Sequence, residues 1–444
     1  MFRYTLVIFL IVTFSSTASA KYDYILNNNL KIAYEKINQL RFDEAKIILS
    51  KERKANPKNL MVDFVEDYID FYTLLVNGST TSFSKLSANK SRRMKRFENG
   101  PILSPYHIFV KAEVQMHWGI IRGVYGDQFT AFRELRNAYK ILQTNQKQFP
   151  NFMPNYKSLG TLRTIFSAIP DNYKWSTKAL GINGNFNQGY KEINKALKYA
   201  KTNEFIFEEE LRIIYAYILL TVKNDKDRAW QIINHSSINT KNSLLATFVK
   251  GDIAMRVGKN ETAIGIYKNA PKSSAYIKVP QLQYFLGLAK LRKLDKSASS
   301  HFNTYLKTKI NQNYVKSTYL YLAWYNQVFS TDANYNKYIN LCKTKGITKI
   351  YDDQKAMKLA EIKPNKTLLK AEFLISGGYY SRASTQLASL SEKNFSRTYD
   401  KINFHYLKAN AAHKQKKYAI AQSNYKKVVK YDLLNSYLDF DIRY

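Results

Sequence analysis

The sequence predicts an all-α protein made of stacked helical hairpins. Three observations indicate this fold class: apolar residues recur at three- and four-residue intervals, signals for β-hairpins are scarce, and one pattern of small and bulky residues repeats. Only nine prolines interrupt the 444 residues. Because amphipathic helices joined by short polar turns bury their apolar faces, each helix is expected to pack against the next.

The helical periodicity is clearest in three stretches, Glu208 to Val222, Leu244 to Val257 and Phe404 to His413. In each stretch the apolar residues fall on one side of a helix that has about 3.6 residues per turn. Each is therefore predicted to form one helix with one buried face.

One pattern of residues recurs along the chain. A small residue in a first helix is followed twelve positions later by a second small residue, and four positions after that by a bulky apolar residue; in one copy the first interval is eleven. Two antiparallel helices cross closely only where neither backbone carries a large side chain, and the bulky residue fills the groove beside the crossing. The small residues predicted to pack at these crossings are Ala33, Ala45, Gly119, Ala131, Gly251, Ala263, Gly287, Ala298, Ala371, Ala383, Ala409 and Ala421.

At these residues the chain resembles the tetratricopeptide repeat (TPR) family. The match is closest from Phe248 to Ala254, followed by Gly258 in the turn, Ala263, Tyr267 and Pro271. Long gaps between other copies predict degenerate hairpins that have lost the pattern. The resemblance implies a right-handed α-solenoid of about eight to ten hairpins, whose concave face binds a protein or peptide partner.

A second similarity is to the tetratricopeptide repeat 39 family, over the segment Leu180 to Tyr190. Its glycines do not form a phosphate-binding motif. A turn between two helices is the favoured interpretation, and a ligand loop is the alternative.

The first 20 residues have the pattern of a secretory signal peptide: Arg3, an apolar core from Leu6 to Phe14, and Ala18-Ser19-Ala20 as the cleavage site. We expect cleavage before Lys21 and a repeat domain over 21–444, built as one superhelix or as two lobes, 21–204 and 205–444. The apolar core is too short to span a bilayer, and no later segment is long enough.

Cysteine usage favours a bacterial periplasm or the outside of a bacterial cell as the destination. Cys342 is the single cysteine, so the chain has no intramolecular disulfide of the kind common in eukaryotic secreted proteins. We expect Cys342 to be a small buried residue. Helical, repeat-containing glycan-binding lipoproteins are a third resemblance, but no cysteine follows the signal to carry a lipid.

The chain is strongly basic, with 69 Lys and Arg against 34 Asp and Glu and a net charge of +35. Such an excess attracts polyanions, which include acidic proteins, nucleic acid, anionic lipid and acidic polysaccharide. The densest cationic run is a candidate anion-binding patch. It contains Lys90, Arg92, Arg93, Lys95 and Arg96.

No motif for nucleophilic catalysis, cofactor binding or metal binding is recognisable. Glu113 and His117 share one helical face, but no second histidine accompanies them at the spacing of a zinc site. We therefore expect no catalytic residue, cofactor or metal. The sequence predicts a scaffold or adaptor of the bacterial envelope, with a binding module for an anionic polymer or surface as the alternative.

Overall fold

The computed structural model describes residues 22–77, 79–169, 184–308 and 312–435. These residues form 21 α-helices and no β-strand, so the predicted all-α class is confirmed for this part of the chain. The predicted signal peptide, residues 1–20, lies outside the described residues. No described helix combines the length and the apolar character needed to cross a bilayer.

Ten pairs of consecutive helices pack together in the described residues, and α17 (Tyr351–Leu359) lies between the eighth and ninth pairs. The first helices of the pairs are α1 (Asn28–Asn38), α3 (Met61–Asn77), α5 (Pro105–Val124), α7 (Met153–Ser167), α9 (Glu208–Thr221), α11 (Leu244–Arg256), α13 (Gln281–Arg292), α15 (Val315–Phe329), α18 (Lys366–Ser376) and α20 (Thr398–Lys414). The second helices are α2 (Phe42–Ala55), α4 (Thr80–Phe97), α6 (Gln128–Gln148), α8 (Phe186–Tyr199), α10 (Lys226–Ile233), α12 (Asn260–Lys268), α14 (Ala298–Lys307), α16 (Asp332–Thr344), α19 (Tyr380–Ala388) and α21 (Tyr418–Asn435).

Short polar side chains begin many of these helices. Each accepts a hydrogen bond from a backbone N–H of the first turn, a group that has no partner within the helix itself. In α5 the capping Ser104 is followed by Pro105, whose missing N–H costs nothing at that position. The other capping residues of this kind are Asn27, Ser79, Asp127, Asn185, Asp225, Ser243 and Asn365.

Successive first helices contact one another from α1 to α20. Thus α1 packs on α3, α3 on α5, and the series continues through α15, α18 and α20. Each pair therefore touches the next through its first helix, and the first helices form one continuous layer.

All twelve small residues of the repeating pattern are buried. At Gly251, an added Cβ would lie 2.4 Å from Cζ of Tyr267, and at Gly287 it would lie 2.9 Å from the ring of Phe302. Thus the bulky residue of the pattern lies directly against the first glycine at these crossings.

A further crossing, between α7 and α8, also depends on glycine. An added Cβ on Gly189 would lie 2.6 Å from the carbonyl oxygen of Gly160. Gly189 belongs to the segment that resembles the tetratricopeptide repeat 39 family, of which residues 180–183 lie outside the described part of the chain. Gly189 therefore packs at a helix crossing and does not lie in a ligand loop.

The turn between α1 and α2 accepts backbone hydrogen bonds from residues in the middle of the chain. The backbone N–H of Ile277 donates to the carbonyl of Leu40 at 3.0 Å, and that of Leu244 donates to Gln39 at 3.3 Å. One cluster of buried apolar side chains runs from Tyr24 to Phe373. The core therefore crosses the boundary that would separate two lobes.

Replacing Ser243 with alanine is expected to destabilise the protein by about 1 to 3 kcal/mol. The buried Ser243 hydroxyl caps α11 and donates to the carbonyl of Asn38 at 3.0 Å, so the substitution removes both bonds. Urea unfolding measures the loss, and hydrogen exchange in the α1–α2 turn should become faster.

Ser79→Ala is the matched control, because Ser79 caps α4 at an exposed position. It should cost only the cap, about 1 kcal/mol, and leave exchange in the α1–α2 turn unchanged. Equal effects of the two substitutions on that turn would contradict the conclusion that Ser243 holds the α1–α2 turn in place.

Candidate functional site

Two carboxylates flank one ammonium where α5, α7 and α9 meet. The Nζ atom of Lys157 lies 2.5 Å from Oε2 of Glu113 and 2.9 Å from Oε1 of Glu210. Lys157 and Glu113 are each 1% exposed. Because charges are so costly to bury alone, these three side chains depend on one another.

Hydroxyl groups donate hydrogen bonds to the two carboxylate oxygens that do not contact Lys157. Tyr34 and Tyr68 donate to Oε2 of Glu210 at 2.9 and 3.1 Å. Ser158 donates to Oε1 of Glu113. All four carboxylate oxygens therefore accept at least one hydrogen bond, as buried charges require.

The charges in this cluster hold each other ionised. Burial lowers the pKa of Lys157, but the charges of Glu113 and Glu210 outweigh burial and raise it above its ordinary value. Burial likewise raises the pKa of Glu210, but the charges of Lys157 and His117, together with the hydrogen bonds from Lys157 and Tyr34, outweigh this effect and lower it. The ion pairs are therefore present at neutral pH.

His117 lies beside this cluster and is held by a third carboxylate, that of Asp67. Its Nδ1 atom lies 2.8 Å from Asp67, which also accepts hydrogen bonds from Trp118 and Arg93. Burial raises the pKa of Asp67, but the hydrogen bond from His117 and the charge of Arg93 outweigh burial and lower it. Nδ1 therefore carries a proton, and the buried Nε2 has no hydrogen-bond partner among the described residues.

Glu113, His117 and Glu210 each present one potential metal-ligand atom, and these atoms lie within 4.8 Å of one another. Oxygen and imidazole ligands of this kind suit zinc or manganese. The position between the carboxylates holds the ammonium of Lys157, so a metal ion would have to displace it. The arrangement is best described as a hydrogen-bonded ion network that joins three helices.

Glu209 is the residue before Glu210 in α9 and is not itself part of the ion network. Burial, together with the charge of Glu35, raises its pKa to about 7. Its Oε1 atom is buried and has no hydrogen-bond partner among the described residues. Ionising this carboxyl is therefore unfavourable in the folded protein.

The Glu209→Gln variant is expected to be more stable than the wild type above pH 7, by about 3 kcal/mol. The wild-type carboxyl has a raised pKa when folded, so its contribution is fully present below its ordinary pKa of 4.5 and is lost as the pH rises through 7. Urea unfolding of both proteins between pH 5 and 8 measures the difference. A difference that does not change with pH would show that Glu209 ionises as freely as in the unfolded chain.

The candidate anion-binding patch on α4 does not form one exposed surface. Arg93 is 1% exposed and donates to Asp67 and Asp70 at 3.0 and 2.5 Å. Arg96 binds Asp63 at 2.9 Å. Residues three positions apart share a helix face, and this face of α4 packs against the acidic residues of α3.

The other cations of the run differ in their exposure to solvent. Lys90 pairs with Glu134 of α6 and is largely buried. Only Arg92 and Lys95 are exposed. Four of the five predicted residues therefore pair with acidic side chains within the fold, since exposed Arg92 also lies 3.9 Å from Glu66.

Cys342 is buried in α16, and burial raises the pKa of its thiol to about 11. The reactive thiolate is therefore scarcely populated at neutral pH.

A scan against models of known protein families found no match to this chain, and a search of curated proteins also found none. The TPR resemblance is therefore carried by the packing pattern alone.

Proposed function

We propose that the chain is a non-enzymatic scaffold or adaptor of the bacterial envelope, built as a right-handed α-solenoid of TPR type. It binds a protein partner along its layer of first helices. The observation that carries this proposal is the continuity of that layer from α1 to α20. Stacked repeats use such a layer to contact an extended partner over many helices. The signal-peptide pattern of residues 1–20 supports export.

The side chains of this layer near α11 are suited to polar contacts. Arg256 is 55% exposed and is held at 2.7 Å by Asp252, which also accepts a hydrogen bond from Tyr217 at 3.0 Å. An oriented guanidinium binds carboxylates and backbone carbonyls of a partner with little loss of side-chain entropy.

Partner capture with paired variants tests the proposal. Arg256→Gln is expected to lose a specific protein that the wild-type chain captures from envelope extract, because it removes an oriented donor from the first-helix layer. Lys337→Gln makes the same charge change at an exposed site on a second helix and should retain the partner. Equal capture by both variants, or no specific partner at all, would contradict the proposal.

A second candidate function is binding to an anionic polymer or surface. Among the described residues, nine acidic but only six basic side chains are buried. Burial thus removes more acidic than basic side chains from the surface of this part of the chain. This function predicts that binding weakens steeply as salt rises, whereas a groove that binds a peptide is much less sensitive.

A further inference from the structure

A groove of about 710 Å³ lies between α5 and α6. Its walls are largely apolar, and its volume lies within the usual range of small-molecule sites. The apolar lining residues are Ile102, Leu103, Ile108, Ile141 and Phe149. This groove is separate from the ion network and from Arg256.

Two aliphatic side chains at this groove are unusually exposed. Ile102 and Leu103 lie in the loop before α5 and are 72% and 83% exposed. Pro101 precedes them, and Pro105 begins α5, so prolines restrict the backbone on both sides. Adjacent aliphatic residues held open to solvent are typical of a surface that contacts an apolar ligand.

One cation lies within the groove. Nζ of Lys111 is 3.0 Å from Nε2 of His107. The Tyr24 hydroxyl donates to the carbonyl of Phe97, so its oxygen accepts a hydrogen bond from Nδ1 of His107, at 3.2 Å. His107 is therefore neutral, and its Nε2 accepts a hydrogen bond from Lys111.

The ammonium of Lys111 thus has a neutral partner. Among the described residues, no carboxylate lies within ion-pair distance of Nζ. Burial lowers the pKa of Lys111, and the charge of Glu98 offsets this effect only in part. An ammonium has three N–H donors, and the bond to His107 uses one of them. An anion in the groove would accept a hydrogen bond from one of the two remaining N–H donors of Lys111.

We propose that this groove binds a single-chain fatty carboxylate. The acyl chain covers Ile102 and Leu103 and lies along the apolar walls, while the carboxylate pairs with Lys111. An ammonium and a carboxylate form a charge-assisted hydrogen bond, and burial of the chain supplies the apolar contribution. The inference does not depend on the proposed scaffold function.

Competition binding with the full-length protein tests the proposal. A fluorescent fatty acid is bound below its micelle concentration and displaced by palmitate or by the uncharged alcohol of the same chain length. We expect saturable binding to the wild type. Lys111→Met should weaken carboxylate binding about tenfold and leave alcohol binding unchanged. Leu103→Asp, at an exposed site that tolerates the change, should weaken both.

Lys147→Met is the matched control, because it removes an exposed lysine of α6 that does not line the groove. It should leave both affinities unchanged. The proposal is overturned if palmitate does not bind saturably, if Lys111→Met binds palmitate as the wild type does, or if Lys147→Met weakens binding equally. Binding to anionic vesicles without binding to monomeric palmitate would also overturn it, in favour of a membrane surface.

Discussion

Replacing Lys157 with methionine is expected to lower the free energy of unfolding by about 3 to 5 kcal/mol at neutral pH. The substitution leaves the carboxylates of Glu113 and Glu210 close together and buried without a cation. Urea unfolding followed by circular dichroism measures the loss. The loss should shrink as the pH falls, because protonated carboxyls need no counter-charge.

A compensated variant and a surface variant serve as controls. Adding Glu113→Gln and Glu210→Gln to Lys157→Met removes all three charges and should recover much of the stability. Lys31→Met breaks a partly exposed pair with Glu204 and should cost at most about 1 kcal/mol. If Lys157→Met were as mild as Lys31→Met, Lys157 would not be the cation that holds the network together.

Gly251→Ala is expected to destabilise the protein by about 2 to 3 kcal/mol. The new Cβ would lie 2.4 Å from the ring of Tyr267, which is buried and stacks on Phe285. Because the ring cannot withdraw without disturbing the crossing, α11 and α12 have to move apart. Thermal and urea unfolding both measure the effect.

Gly265→Ala is the corresponding control within α12. No atom lies within 4 Å of the position its Cβ would take. Alanine is the better helix former by about 1 kcal/mol, so this variant should be slightly more stable than the wild type. Loss of stability in both variants would indicate a general intolerance of substitution and not a close crossing at Gly251.

The helices and several of their crossings were predictable because both follow from local patterns. Apolar periodicity fixes which face of a helix is buried, and a recurring pair of small residues indicates where two helices approach. The α7–α8 crossing was missed because Gly160 and Gly189 are 29 positions apart, far from the twelve-residue interval of the pattern.

Some turns carry no glycine, although the small residues of the hairpins on either side of them were recognisable. Family turns use glycine where the backbone has a positive φ, as at Gly258. Leu40, Leu294 and Lys416 adopt positive φ without being glycine. The sequence therefore carries no turn signal at these positions, although the backbone makes the turn.

The ion network could not be predicted because its members are distant in sequence. Lys157 is 44 positions from Glu113 and 53 from Glu210. Only the Glu113 and His117 pair was recognisable, because it lies on one helix. The binding of the first turn to Leu244 and Ile277 is likewise a tertiary contact without a local pattern. In α4, helical periodicity alone could have divided the buried Arg93 from the exposed Arg92.

The central claim is that paired helices cross where a glycine or alanine accommodates a bulky residue of the partner helix. A double-mutant cycle between Gly251→Ala and Tyr267→Leu tests it most directly, by urea unfolding of the wild type, both single variants and the double variant. The account predicts that Gly251→Ala is strongly destabilising beside Tyr267 but nearly neutral once the smaller leucine replaces that tyrosine, with a coupling energy of at least about 1 kcal/mol. Additive effects of the two substitutions would contradict it.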